Sequence, residues 1–225
     1  MYGILAGATD LGVALPTADD QPVRRNYRSP LREQRALQTR AAVLDTASRL
    51  FASRGWAATG MRDVAREAGV ATETVYKHFS SKTALLRQVI DRAVVGDEEA
   101  VPLARRPEFT ALGVGTRLER IAAAARLVTE VHLRTAGFAK VIREAAHTDE
   151  AMANELDATR QRQRTDVERA LALLIARPPT ARELDGTLAV LSVEVYLLLT
   201  EFSGWAPEQY EAWMAETLEL IVPSS

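Results

Sequence analysis

Val43, Ala47, Leu50 and Phe51 recur at i, i+4, i+7 and i+8, and that apolar stripe predicts a helix from about Arg32 to Arg54, stopped by Gly55. Met61, Val64, Ala65 and Ala68 form the inner face of a second, short helix with Asp63 in its first turn, where a carboxylate suits the helix dipole. Gly69 breaks the chain, Val70 is expected to point inward, and a third short helix follows over about Ala71 to His78. A fourth starts at Ser80 or Ser81 as N-cap and carries Leu85, Leu86, Val89 and Ile90. Gly96, Pro102, Pro107, Gly113 and Gly115 then mark a linker. Beyond it, Leu118, Ile121, Ala125 and Val128 predict one helix, and Phe138, Val141, Ile142 and Ala145 another. Residues 149–176 read as a long helix ended by Pro178 and Pro179. Leu184, Leu188, Leu191, Val195, Leu198 and Phe202 follow a 4-3-4-3-4 spacing from Ala181 onward, the period of a helix that packs along another helix. From Pro207, a last helix places Tyr210, Trp213, Met214, Leu218 and Ile221 on one face. No segment shows a strand period.

The pattern divides the chain into an irregular arm, residues 1–30, a compact helical unit, 31–96, and a larger helical unit, 97–225. Charge follows the same division. Residues 21–92 carry 14 Lys and Arg against 6 Asp and Glu, net +8, whereas residues 93–225 carry 14 against 21, net −7. A basic unit joined to an acidic one points to a polyanion as partner of the first alone. Arg24, Arg25 and Arg28 end the arm beside the first helix, where they could hold a phosphate backbone or merely solubilise a tail. The chain has no cysteine, which excludes disulfides, thiolate catalysis and cysteine-based zinc sites. No apolar run reaches the ~20 residues of a membrane helix, and Met1 to Leu15 lacks the basic start of a signal peptide. The expected compartment is the cytoplasm, with no membrane partner.

The stretch from Thr59 to Phe79 is the most informative: a helix, a glycine-containing turn and a second short helix, which is a helix-turn-helix. Ala65 is small enough for a close helix crossing, and Gly69 permits a left-handed turn residue. Val64, Val70, Val75 and Phe79 are expected to clamp the unit from behind. That leaves Thr72, Glu73, Thr74, Tyr76, Lys77 and His78 on the outer face, a set of groups able to meet base edges and phosphates.

Arg40, Val43-Leu44-Asp45, Ala47, Leu50-Phe51, Gly55-Trp56, Val64-Ala65, Ala68-Gly69-Val70, Thr74-Val75-Tyr76, His78-Phe79, Lys82 and Leu85 together resemble the N-terminal domain of the TetR family of transcriptional regulators. Residues 204–210 with Trp213 resemble the tail of some members. The resemblance implies an all-α fold, with an N-terminal three-helix helix-turn-helix domain and a C-terminal helical ligand-binding and dimerisation domain. It further implies a homodimer whose third helices enter successive major grooves of a palindromic double-stranded operator, released by a small-molecule effector. Carried over position by position, Thr72, Thr74 and Lys77 become base-edge candidates, and Tyr76, His78 and Lys82 phosphate candidates, with Arg40 and Gly60 on the same DNA-binding surface. His132, Phe138, Met152, Tyr196 and Trp205 are candidates for an effector pocket, or ordinary core residues. Leu184, Leu188, Leu191, Val195, Leu198 and Trp213 are candidates for the dimer interface, or core of their own subunit.

The chain departs from the family where Gly60 replaces a usual Thr or Ser and Ala71 an often-found Ser, and Glu73 puts a carboxylate on the recognition helix. Gly60 and Ala71 leave room for a second reading, a ligand-binding or scaffold protein without DNA specificity. A third, a helical enzyme, would need a perturbed polar cluster in the second unit. Glu144 and His147 form a single Glu-x-x-His, whereas a carboxylate-bridged metal site needs two. No Walker-type loop, Gly-x-Gly-x-x-Gly or Gly-x-Ser-x-Gly occurs. No enzyme activity, cofactor or metal is implied.

Overall fold

The structure, a computed structural model, describes residues 30–97 and 101–222. Residues 1–29 of the arm, with its three arginines, lie outside the described residues, and residue 30 opens the first helix. Helices run as α1 (Pro30–Arg54), α2 (Met61–Ala68), α3 (Thr72–His78), α4 (Lys82–Val95), α5 (Pro107–Thr110), α6 (Arg117–Ala146), α7 (Glu150–Ile175), α8 (Ala181–Val190), α9 (Val193–Leu197) and α10 (Pro207–Ile221). A single wide turn of π-helix, Leu198–Phe202, continues α9. Among the described residues there is no strand.

Two cores hold these helices together, and α6 serves both. The first gathers Val43, Ala47, Leu50 and Phe51 of α1, Val64 of α2, Val75 of α3, Phe79, and Leu85, Leu86 and Val89 of α4. It also takes Phe138, Val141, Ile142 and Ala145 of α6, and Met152 of α7. The N-terminal unit is therefore closed by residues of the second unit rather than by its own helices alone. The second core joins Ile121 and Ala125 of α6 to Leu171, Leu174 and Ile175 of α7, Tyr196 of α9, and Tyr210, Met214 and Leu218 of α10. Polar ties reinforce the joint. The Arg134 guanidinium of α6 donates to the carbonyls of Ala93 (2.8 Å) and Val94 (3.0 Å), a cation on the orphan acceptors at the C-terminal end of α4.

From residue 101 on, the linker is more ordered than its glycines and prolines suggest. It holds α5 and two short 3-10 turns, with Phe109 and Leu112 buried. Two expected helices, around Leu118 and Phe138, prove to be the single α6, and Leu118 is exposed rather than part of an inner stripe. The expected continuous helix from Ala181 to Phe202 is broken. It stops at Leu191, restarts with Ser192 as N-cap of α9, and widens into the π-helical turn.

Gly69 is needed where it stands. It closes α2 with φ 68°, and the amides of Gly69 and Val70 fold back onto the carbonyls of Arg66 and Ala65. An added Cβ there would meet no atom within 4 Å, so the obstacle is backbone strain alone. Gly69→Ala is expected to lower stability by about 1–2 kcal/mol in urea unfolding, the cost of a left-handed non-glycine residue.

Candidate nucleic-acid interface

The third helix is short because its surroundings hold it at both ends. α2 ends in the Gly69 turn, and Phe79, fully buried, anchors the exit. Val64 and Val75 are completely buried behind it. On the outer side Tyr76 is 52% exposed, and Glu73 and Lys77 are exposed. Thr72, Thr74 and His78 are half-buried, so the outer face is narrower than the six positions expected from sequence. Ala71 caps α3 with no side-chain bond.

At the start of α2 the absent hydroxyl has a replacement. The Gly60 amide donates to Asp63 Oδ2 at 3.1 Å, and a Cβ at residue 60 would sit 3.0 Å from that same oxygen. Arg66 holds the other Asp63 oxygen at 2.6 Å; that bond first, and then the Gly60 amide, keep the carboxyl below its ordinary pKa. Glu67 of α2 bridges to Arg54 (2.7 Å) and Arg49 (3.1 Å) of α1, which fixes the angle between the two helices.

Two expected contact residues are engaged within the protein. The Arg40 guanidinium donates to Gln88 of α4 and stands 5.6 Å from the Phe79 ring centre. The Lys82 ammonium donates to the Trp56 carbonyl and lies 3.9 Å over the Trp56 indole. Burial lowers the Lys82 pKa, and the negative charge of Asp149 opposes that shift. Trp56 in turn stacks on Phe51 and donates its indole N–H to Asp149 Oδ2 at 3.3 Å. Trp56 and Asp149 escaped the sequence reading as site residues, because 93 positions separate them and neither has a local signature of the contact.

The five pocket candidates are spread over the two cores and the Trp205–Trp213 pair. His132 and Tyr196 meet in the second core, with ring centres 5.3 Å apart. Phe138 and Met152 belong to the first core, and Trp205 stands edge-on to Trp213. None of the five lines the cleft of about 370 Å³ that opens between α6, α7, α8 and α9. Its walls carry Arg143, Arg160 and Arg164 above Ile142, Leu156 and Val193. The interface candidates also separate. Leu184 is buried in its own subunit, and Leu191 and Trp213 pack against the second core. Leu188 lines the cleft and Val195 is half-buried. Leu198 is exposed, as is Phe202, which is 86% exposed. The surplus of large apolar residues in this segment is spent mainly on the subunit's own core.

Residues 43–89 match the family described as bacterial regulatory proteins, tetR family. Over that segment the chain is similar to the TetR family. This match runs from the middle of α1 into α4 and takes in the whole helix-turn-helix. Among curated relatives, the chain is 33% identical over 81 residues to the HTH-type transcriptional regulator TtgR of Pseudomonas putida, spanning 32% of this chain and 39% of that protein. It is 39% identical over 82 residues to the HTH-type transcriptional activator FasR of Mycolicibacterium smegmatis, spanning 35% of each chain. The match thus spans well under half the length of these relatives. The full TetR-type fold is shared with a TetR-family member from Streptomyces coelicolor A3, at a TM-score of 0.58 and 19% identity, over 83% of this chain and 99% of that one. At that identity the likeness extends to fold alone. Among the described residues, no helix is long and apolar enough to cross a membrane.

Proposed function

We propose that the protein is a cytoplasmic, dimeric repressor that reads a palindromic operator with α3 and leaves it when a small molecule occupies the second unit. The observation that carries this reading is the division of α3 into two faces: Val75 with Val64 and Phe79 behind it sealed from solvent, and Glu73, Tyr76 and Lys77 presented outward. Thr72, Thr74 and Lys77 then approach base edges, and Tyr76 and His78 the phosphates. Arg40, Gly60 and Lys82 flank this surface. Gly60 brings no side chain to the backbone of the DNA, so the contact a hydroxyl would supply is missing there.

The cleft between α6 and α9 is the effector site in this reading. Its volume is within the range of small-molecule pockets, roughly 300–1,000 Å³. Three arginines over an apolar floor suit an anionic head on an apolar body. Arg143 and Arg164 already hold Glu194 (2.8 Å) and Asp185 (2.6 Å), and an anionic ligand would take the place of those carboxylates. The second copy docks on the face carrying Leu198 and Phe202, which their own subunit leaves uncovered.

Fluorescence anisotropy on duplexes from the protein's own upstream region tests the DNA reading. Tyr76→Ala is expected to weaken binding about tenfold on every duplex, the worth of one lost phosphate hydrogen bond. Thr74→Ala is expected to shift preference at one or two base positions. Identical behaviour of the two variants would contradict the assignment of contacts. A promoter–reporter assay decides the sign of regulation, and rising output on occupancy of the operator would contradict repression.

A further inference from the structure

Lys82, Trp56 and Asp149 form a chain of contacts from the start of α4 to the corner between α6 and α7. The Lys82 ammonium is held by the Trp56 carbonyl and indole face. Trp56 is fixed against Phe51 and bonded to Asp149. Asp149 divides its carboxylate: Oδ1 accepts the Met152 amide at 3.2 Å and caps α7, and Oδ2 accepts the indole. An ammonium has three N–H donors, so one bond to a carbonyl leaves donors for a phosphate. The Asp149 charge, however, lies near enough to Lys82 to affect its titration. Any phosphate that Lys82 binds therefore feels the Asp149 carboxylate one indole away, a repulsion that salt weakens.

We propose that Asp149 is a positioning residue that holds DNA affinity down, because its carboxylate, fixed beside the Trp56 indole that carries the Lys82 ammonium, repels an operator phosphate bound there. This rests on the operator-binding reading and adds a route by which the second unit reaches the DNA surface. Asp149 follows α6 after only two intervening residues, and α6 and α7 both wall the cleft, through Ile142 and Arg143 on one side and Leu156 and Thr159 on the other. A ligand that changes the spacing of α6 and α7 also moves Asp149 against Trp56 and Lys82. The coupling needs no new contact, only a different separation between the Asp149 carboxylate and the Lys82 ammonium.

The test is a double-mutant cycle on full-length protein, read by anisotropy at low and moderate salt with a duplex that the wild type binds. Asp149→Asn keeps an oxygen for the Met152 amide and the α7 cap, and gives up the charge together with the oxygen that faces the Trp56 indole; any effect of the lost indole bond is common to both backgrounds of the cycle. It is expected to tighten binding about threefold to tenfold at low salt, with a smaller gain at moderate salt. In a Lys82→Gln background the same change is expected to have no effect. A purely structural role for Asp149 predicts unchanged or weaker binding in both backgrounds, and that result would overturn the proposal. So would an equal gain in both. Failure of the wild type to bind any duplex would instead remove the operator-binding reading, which the same titration shows separately.

Discussion

Aspartate at both Leu198 and Phe202 is expected to convert the protein to monomers and to lower operator affinity at least a hundredfold. Both side chains are exposed in the single subunit, at 56% and 86%, so the change removes little from the subunit's own cores. In a dimer, each buried carboxylate would lose hydration with no partner cation provided for it, at a cost of several kcal/mol. The loss of DNA affinity follows from linkage: two recognition helices on one body gain about 10²–10⁴ over one, without any new contact. Lys140 of α6 is already paired with Glu201 of the same π-helical turn and offers no ready rescue. Sedimentation and anisotropy on the same samples check the two halves of the expectation. A dimer that survives both substitutions would place the interface elsewhere, with the exposed Leu220 of α10 the next place to look.

Acidification is expected to cost the wild type about 3 kcal/mol of stability through His132 alone. The ring is buried at 4% exposure, with Nδ1 3.1 Å from the Tyr210 hydroxyl and a second hydrogen bond to the Leu191 backbone. Leu191 has a carbonyl to spare because of the helix break. In a continuous helix that oxygen would accept the Val195 amide, which here bonds instead to the Ser192 carbonyl at 3.1 Å. A neutral imidazole satisfies both neighbours, donating to the carbonyl and accepting from the hydroxyl. Burial lowers the His132 pKa from 6.5 to about 4 in the folded protein. The unfolded chain therefore takes up the proton first as pH falls. The contribution is complete above about pH 6.5, declines as pH falls, and is fully lost below about pH 4. Urea unfolding across that range should show a steeper acid limb in the wild type than in His132→Asn, by about 3 kcal/mol at pH 4. Parallel limbs would mean that the ring is solvated or already charged.

The N-terminal unit was legible because its signals are local. The apolar period, the Gly55 and Gly69 stops and the Ser81 cap lie within the segments they delimit, and the start of α3 differs from the expected one by a single residue. The second unit was less legible, for reasons that lie in its packing. The inner face of α6 runs Ile121, Ala125, Thr129, His132 and Ala136, then jumps to Phe138, Val141, Ile142 and Ala145. That change of phase reads as a break in the helix. It is one helix turning from the second core to the first, about 45 Å long at 1.5 Å per residue. The 3.5-residue spacing from Leu184 to Phe202 likewise suggested a continuous seam, but the helix breaks at Ser192, where the Leu191 backbone meets His132, a residue 59 positions before Leu191. The outer groups of α3 could be listed from the sequence. The engagement of Arg40 by Gln88 and of Lys82 by Trp56 could not, because each is a long-range pairing between common residue types.

Selection from a random duplex library tests the central claim most directly, because it presumes neither operator nor effector. An outward α3 deployed twice per assembly predicts enrichment of an inverted repeat with half-sites about one helical turn, roughly 34 Å, apart. It also predicts affinity that falls steeply as salt rises. A pool that stays unenriched at low salt, or that binds without sequence preference, would contradict it.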